Sequence, residues 1–179
     1  MRIISGRYRG KKLLSPTSAN VRPTSDKARE ALFSILRSRL GNNFSDLKLL
    51  DVFAGSGAFG LEAISQGFKK VVLVDIDTRD VAKNVALLPQ EQDKIELIKG
   101  DACTITNRGE KFDVMFMDAP YNKGLTEKAL ANLSGWLQKG ALCLIEVEKK
   151  ESCNLPEEYR QIDERRYGLA KVIVAEVVC

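Results

Sequence analysis

Five short apolar runs, separated by helix-like stretches, constrain the fold more than any other feature of this sequence. Such an alternation predicts a mostly parallel sheet, because the connections between parallel strands carry helices onto both of its faces. The expected fold is therefore a doubly wound, Rossmann-like α/β sheet. The five runs are residues 47–53, 71–75, 95–98, 112–118 and 141–147.

The C-terminal residues depart from this alternation. Residues 159–167 and 171–178 are two β-rich runs on either side of a turn at Gly168-Leu169-Ala170. Two strands joined by so short a turn predict an antiparallel hairpin. We expect this hairpin to extend one edge of the sheet.

The N-terminal residues predict a small appendage rather than a second domain. Residues 2–14 suggest two short strands around glycine turns, and Ser25 is placed to cap a helix that begins at Asp26. We expect a basic, hairpin-like extension and connector over residues 1–24, followed by one domain over residues 25–179. Three cations of the helix are expected to point away from its packed face: Lys27, Arg29 and Arg37.

Charge is unevenly distributed along the chain. Residues 1–40 hold ten basic and two acidic residues, a net charge of +8, whereas the remaining 139 residues hold 18 basic and 22 acidic, a net charge of −4. A positive segment on a weakly acidic body is typical of proteins that bind polyanions, although a solvated basic tail has the same composition.

Two residue types limit the chemistry and the setting. The chain has no histidine, which removes the usual general base and the commonest transition-metal ligand. Its four cysteines form no C-x-x-C pair, which argues against a zinc site or a disulfide framework. No run approaches the roughly 20 apolar residues of a membrane span. We therefore expect a cytoplasmic protein with reduced thiols, no metal and no membrane contact.

A glycine-rich loop follows the first predicted strand. Gly55, Gly57 and Gly60 have the spacing G-x-G-x-x-G at a strand-to-helix turn, where glycines let the backbone approach a ligand. The second strand ends at Asp75, twenty residues later, where a carboxylate can bind the hydroxyl groups of a ribose. Glycines that serve only a tight turn are the structural alternative.

Two cofactors fit a glycine loop with a ribose site: a dinucleotide and S-adenosylmethionine. Asp51 precedes the loop, and its carboxylate would bind an ammonium or a loop amide but would repel a pyrophosphate. Asp101-Ala102 follows the third strand and offers an acceptor for the adenine amino group, unless Asp101 only caps a following helix. The sequence therefore favours S-adenosylmethionine.

The fourth predicted strand ends in Asp118-Ala119-Pro120-Tyr121, which we predict to be catalytic. The amino group of a nucleobase is a poor nucleophile, so an enzyme must accept its hydrogens as positive charge develops. The Asp118 carboxylate and the Ala119 carbonyl are suitable acceptors, Pro120 stiffens the turn, and Tyr121 can stack on the base. An ordinary Asp-Pro turn is the alternative interpretation.

Taken together, these segments resemble the bacterial RsmD-like methyltransferases. The resemblance covers nearly the whole chain: residues 3–10, Arg22-Pro23-Thr24, residues 26–33, residues 51–67 and Tyr167-Gly168. It implies a class I methyltransferase fold and transfer of a methyl group from S-adenosylmethionine to the N2 amino group of a guanine in 16S ribosomal RNA. It further implies an assembling small subunit as partner, and we expect a monomer.

By position, the resemblance also assigns roles to individual residues. Cofactor contacts are implied at Asp51, Phe53, Ala54, Gly55, Gly57, Gly60, Asp75, Ile76, Asp101 and Ala102. The target guanine would lie against residues 118–121. Substrate RNA contacts are expected at Arg7, Arg9, Lys11, Lys12, Arg22, Pro23 and Thr24. Ala119 replaces a proline usual in the family, from which we expect a modest loss of rate.

Three other functions remain open from the sequence alone. An adenine-N6 methyltransferase can use the same tetrapeptide, although the chain has no room for a separate DNA target-recognition domain. A dinucleotide-dependent oxidoreductase is disfavoured by Asp51 and by the tetrapeptide. A catalytically silent RNA-binding module is the third alternative.

Overall fold

The structure is a computed structural model that describes residues 1–17 and 24–179. Its sheet has seven strands in the order β3-β2-β1-β4-β5-β7-β6. The main elements are α1 (Asp26–Leu40), β1 (Lys48–Val52), α2 (Ala58–Ser65), β2 (Lys70–Asp75), α3 (Arg79–Val85), β3 (Ile95–Lys99), β4 (Phe112–Asp118), α4 (Leu125–Leu133), β5 (Leu137–Glu148), β6 (Tyr159–Tyr167) and β7 (Ala170–Val177).

The first five strands are parallel, and the last two form the predicted hairpin. β7 pairs antiparallel with both β5 and β6, so the hairpin extends the sheet beyond β5. The five apolar runs all become strands, as predicted. The largest difference is β5, which begins at Leu137 rather than at residue 141 and includes an exposed polar start.

Alternating side chains divide the interior into two cores. Val114 and Phe116 of β4 belong to a core with α1, α2 and α3, whereas Met115 and Met117 belong to a core with α4. Both faces of the central strand are therefore buried, which explains the unbroken apolar run in the sequence. None of the described helices is long and apolar enough to cross a membrane.

The N-terminal extension folds back onto α2 instead of forming two strands. Its only ladder pairing in the described residues is an isolated bridge between Arg2 and Lys12. Backbone hydrogen bonds join its two arms, from Ile3 to Lys11 at 2.9 Å and from Leu13 to Met1 at 3.0 Å. Side-chain burial and a buried carboxylate add to them: Ile3 and Leu13 enter the first core, and Glu62 of α2 accepts the Ile4 amide at 2.7 Å. The prediction of two strands is wrong in this respect.

Helix α1 begins where the sequence predicted. Ser25 is its N-cap, and the Ser25 hydroxyl accepts the amide of Ala28 at 3.1 Å. The expectation that Arg29 points away from the core is wrong, because Arg29 is fully buried. Its guanidinium lies 3.0 Å from Asp26 and 3.7 Å from Glu62. A buried cation needs such carboxylate partners to offset its desolvation.

Candidate active site

The glycine loop connects β1 to α2 at the carboxyl edge of the sheet. Gly55 and Gly57 have φ of 57° and 77°, in the left-handed region that glycine adopts most readily. A β-carbon at Gly57 would stand 2.6 Å from Val81 of α3, and one at Gly60 would stand 2.4 Å from Leu73 of β2. Gly57 and Gly60 are therefore required for packing. Phe53, at the start of the loop, is also left-handed, with φ of 61°.

Asp51 lies beneath the loop rather than at its surface. One of its carboxylate oxygens accepts the amide of Gly60 at 2.9 Å, and the residue is only 1% exposed. Burial raises the pKa of Asp51 well above its usual range, and the nearby carboxylates of Asp118 and Asp75 raise it further. Of the two partners that the sequence allowed for Asp51, the structure shows the loop amide.

Asp75 fixes the other side of the loop. Its carboxylate accepts the amide of Gly55 at 2.8 Å and the amide of Asp77 at 2.9 Å. The following Ile76 is 70% exposed, which is unusual for so large an apolar side chain. A nucleoside fits such a pair of groups: its ribose hydroxyls would hydrogen-bond to the acidic group, and its base would lie on the apolar side chain.

Asp101 and Ala102 are at the neighbouring strand end. The carboxylate of Asp101 accepts the amide of Cys103 at 2.9 Å and caps a turn over residues 102–104, where the alternative interpretation expected a helix. Asp101 is exposed, whereas Ala102 is buried in the second core. The structure thus brings Asp101 to the same edge as Asp75, with one carboxylate oxygen engaged in the turn.

The predicted catalytic tetrapeptide ends β4. Asp118 is the last strand residue, and the Thr24 hydroxyl lies 3.4 Å from its carboxylate. Ala119 is buried and Pro120 is exposed. The Tyr121 hydroxyl donates to Glu146 at 3.0 Å. This hydrogen bond restrains the orientation of the Tyr121 ring.

Asp118 and Glu146 are register partners on the adjacent strands β4 and β5. Burial raises the pKa of Asp118 to about 8, and the negative charge of Glu146 contributes to that rise, while the hydrogen bond from Thr24 opposes it. The carboxylate of Asp118 is consequently a stronger base than an aspartate in water.

A cavity of about 440 Å³ opens beside the tetrapeptide. Sequence reasoning missed two of its walls: Glu146 and the turn between β6 and β7. A signal for Glu146 exists, because it is an acidic residue in an apolar run at the carboxyl end of a central strand. The lining residues are Thr24, Ser25, Lys27, Ala28, Ala31, Leu32, Tyr121, Glu146, Arg166, Tyr167, Gly168, Leu169, Ala170 and Val172.

The expected RNA contacts are distributed over two places. Thr24 lies at the active site, whereas Arg22 and Pro23 fall outside the described residues. Arg7 donates to Glu91 at 3.1 Å and therefore also holds the extension to the domain. The remaining predicted contacts are exposed side chains of the extension: Arg9, Lys11 and Lys12.

The charges at this edge favour a cationic ligand. The carboxylates of Asp51, Asp75 and Asp118 converge at the ends of three adjacent strands, and two of them raise the pKa of the third. A cationic sulfonium or ammonium would favour the ionised forms of these carboxyl groups, whereas a pyrophosphate would oppose them. Residues 1–17 and 24–179 contain no cluster of acidic, cysteine or histidine side chains arranged for a metal ion. The site therefore fits S-adenosylmethionine better than a dinucleotide.

The strand order, with its one antiparallel strand between β5 and β6, and the likeness to named methyltransferases define a class I S-adenosylmethionine-dependent methyltransferase. The chain matches the family described as "Conserved hypothetical protein 95" over residues 1–176. It belongs to that family.

Individual relatives agree with this assignment. The chain is 33% identical to "Ribosomal RNA small subunit methyltransferase D" of Haemophilus influenzae, over 94% of this chain and 90% of the relative. The solved structure of yhhF from Escherichia coli covers 99% of this chain and 98% of its own, with 30% identity and a TM-score of 0.85. RsmC of Thermus thermophilus, a 16S rRNA N2 methyltransferase solved with AdoMet and guanosine, shares the fold with 19% identity and a TM-score of 0.65, over 90% of this chain and 44% of its own.

Proposed function

We propose that this protein transfers a methyl group from S-adenosylmethionine to the N2 amino group of a guanine in 16S ribosomal RNA. The observation that carries the proposal is the placement of Asp118 and Tyr121 beside the glycine loop, at the ends of adjacent strands. Relatives named for small-subunit ribosomal RNA methylation support the choice of substrate. We further propose that the enzyme acts as a monomer in the cytoplasm, on RNA within an assembling small subunit.

The cofactor would lie along the carboxyl edge from β1 to β3. Backbone amides of the glycine loop would hold its amino acid part, and Asp75 would accept hydrogen bonds from the ribose. Ile76 would cover one face of the adenine, and Asp101 would accept from the adenine amino group. When bound, S-adenosylmethionine supplies a methyl group that its positively charged sulfur already activates.

Asp118 has two tasks in this mechanism. In its ionised form, which the positive charge of a bound donor would favour, its carboxylate would accept a hydrogen bond from the guanine N2 amino group, together with the Ala119 carbonyl, and so orient the nitrogen lone pair. Transfer of the methyl group from the sulfonium to this nitrogen would leave a positive charge on the nitrogen, next to Asp118. The raised pKa of Asp118 suits it to take the proton that the nitrogen then releases.

Tyr121 would stack on the guanine and hold its plane. Base stacking on an aromatic side chain contributes about 1–3 kcal/mol in single-strand recognition. The hydrogen bond from Tyr121 to Glu146 fixes the ring before the base arrives, which reduces the entropy lost on binding.

The proposal is tested by mapping 16S ribosomal RNA, by mass spectrometry, from cells that lack the protein. We expect one N2-methylguanine to disappear and to return when the purified enzyme and labelled S-adenosylmethionine are added. The matched control is Asp118→Ala, which should bind the cofactor but not restore the mark. A ribosomal RNA with all of its methylguanines intact would contradict the substrate, and a missing N6-methyladenine would point to the adenine reaction instead.

A further inference from the structure

The turn between β6 and β7 forms one wall of the active-site cavity and leaves an apolar side chain at its tip. Leu169 is 66% exposed and is one of three large apolar side chains that the described residues leave exposed. Of the other two, Ile76 is accounted for by the proposed cofactor site. Because Leu169 lines the cavity, a ligand bound there would cover its apolar side chain and remove it from water.

This turn is held firmly in place. Gly168 has φ of 59°, which permits the tight reversal, and Tyr167 pairs with Ala170 across it. The carbonyl of Leu169 accepts the amide of Lys149 at 2.8 Å, which ties the turn to the end of β5. Leu169 is therefore presented on a restrained backbone, at the sheet edge that carries the active site.

The charged groups of the cavity match a nucleotide. Lys27 of α1 and Arg166 of β6 both line the cavity and are exposed, whereas Glu146 is buried. Arg166 also contacts Glu164 at 3.2 Å, but its side chain remains 66% exposed. Exposed cations can bind the phosphates of a nucleic acid. A buried carboxylate can accept hydrogen bonds from the donors of a base.

We propose that the β6–β7 turn is an RNA-contact element, in which Leu169 fills the gap left in the RNA by the extruded guanine while Arg166 and Lys27 bind the flanking phosphates. This inference rests on the proposed function, because it assumes an RNA substrate whose target base must leave its stack. Enzymes that act on a base must extrude it, and an apolar side chain inserted between bases stabilises the opened stack.

The test of the wedge uses small ribosomal subunits from cells that lack the protein. We expect Leu169→Ala to lower the single-turnover rate at saturating subunits about tenfold, since the opened stack loses the side chain that would fill it. Leu169→Met keeps the apolar length and should stay within about twofold of the unchanged enzyme. Binding of S-adenosylhomocysteine and the thermal unfolding of both variants should be unaltered. A Leu169→Ala rate equal to that of the unchanged enzyme overturns the proposal.

The phosphate contacts are tested by binding. Lys27→Ala and Arg166→Ala should each weaken RNA binding and reduce the slope of log affinity against log salt by about 0.7–0.9. Lys139→Ala, an exposed lysine at the start of β5, is the control and should leave both quantities unchanged. Unaltered binding in both cavity variants would refute this part.

A photo-crosslinking residue in place of Leu169 identifies the partner directly. Crosslinks to nucleotides next to the methylated guanine support the inference, whereas crosslinks only to a ribosomal protein, or none, contradict it. If the unchanged enzyme methylates no ribosomal RNA at all, the proposed function fails. If the unchanged enzyme methylates ribosomal RNA and the Leu169 variants do so at the same rate, only the proposed role of this turn fails.

Discussion

Among the individual residues, Asp118 shows how the active site conflicts with stability. Its carboxyl group is buried beside Glu146, so ionisation is unfavourable in the folded protein and its pKa is raised. The folded state therefore binds the Asp118 proton more tightly than the unfolded chain does. From the ordinary aspartate pKa up to about 8, the free energy of unfolding should fall as pH rises.

Asp118→Asn should accordingly stabilise the protein while abolishing most of its activity. Without ligands, we expect its melting temperature to exceed that of the unchanged protein by on the order of 5 °C at pH 8. The difference should shrink as pH falls toward 4.5, where the native aspartate is protonated. Thermal unfolding at several pH values measures both effects. Asp46→Asn, at an exposed position, is the control, and a difference that does not vary with pH would contradict the argument.

Ile76 illustrates a residue whose surroundings make sense only with a ligand. It is 70% exposed and follows Asp75, the proposed ribose ligand. Ile76→Ala should weaken binding of S-adenosylmethionine about five- to tenfold, because part of an isoleucine burial of about 1.5–3 kcal/mol is lost. Titration calorimetry measures this change. Ile76→Val removes only one methyl group, so its affinity for S-adenosylmethionine should be close to that of the unchanged protein. Equal affinity of all three proteins would exclude the contact.

Helix α2 is the element on which the site most depends. It packs on β1 and β2 through a face that begins at Gly60, whose missing side chain lets the helix approach the sheet. A β-carbon at this position would lie 2.4 Å from Leu73, 2.9 Å from Val71 and 3.1 Å from Asp51. Both contacts on β2 are with branched side chains in a closely packed core, which have little room to move.

Gly60→Ala should therefore destabilise the fold by about 1–3 kcal/mol, despite the higher helix propensity of alanine. We expect a fall in melting temperature of about 3–10 °C. It should be accompanied by weaker cofactor binding, since the Gly60 amide is held by Asp51. Gly135→Ala is the matched control, because no atom lies within 4 Å of its β-carbon position. Equal losses in the two variants would argue against the packing explanation.

The elements that the sequence predicted best are those with continuous apolar runs. β4 has the predicted bounds. All seven of its residues are buried or partly buried, so the strand is visible in the sequence as a long apolar run. The extension was predicted less well, because its stability comes from Glu62, a residue almost sixty positions away. Arg29 was misplaced for the same reason: its burial depends on a carboxylate from another helix, which local periodicity does not reveal.

Across the whole molecule, the excess positive charge and the proposed catalytic groups lie in different segments. The segment of residues 1–40 carries a net charge of +8, and the acidic residues of the site come from the remainder. Strand-end residues of the site were predictable, because parallel strands bring their carboxyl ends to one edge. The cavity could not be predicted from the sequence. Its lining residues Leu169 and Lys27 come together only through the long-range packing of the hairpin and α1.

Neutralising the exposed cations of the extension should weaken RNA binding without affecting the cofactor. The triple change Arg9→Ala, Lys11→Ala, Lys12→Ala should reduce the salt dependence of log affinity by about 2 to 3, as three phosphate contacts are lost. Arg7 is left in place because it also binds Glu91. Filter binding to 16S ribosomal RNA at several salt concentrations measures the slope. Unchanged RNA affinity would show that the extension binds no RNA and only packs against the domain.

Both binding functions converge on one helix of eight residues. The first turn of α2 carries Gly60 at the cofactor loop, and its last turn carries Ser65, which holds the extension through the carbonyl of Ser5 at 2.6 Å and the amide of Tyr8 at 2.9 Å. If both proposed sites are occupied as we expect, a shift of this helix caused by one ligand would change the surroundings of the other. Thermodynamic linkage then makes the coupling mutual: whatever occupancy by RNA does to donor affinity, occupancy by the donor does equally to RNA affinity.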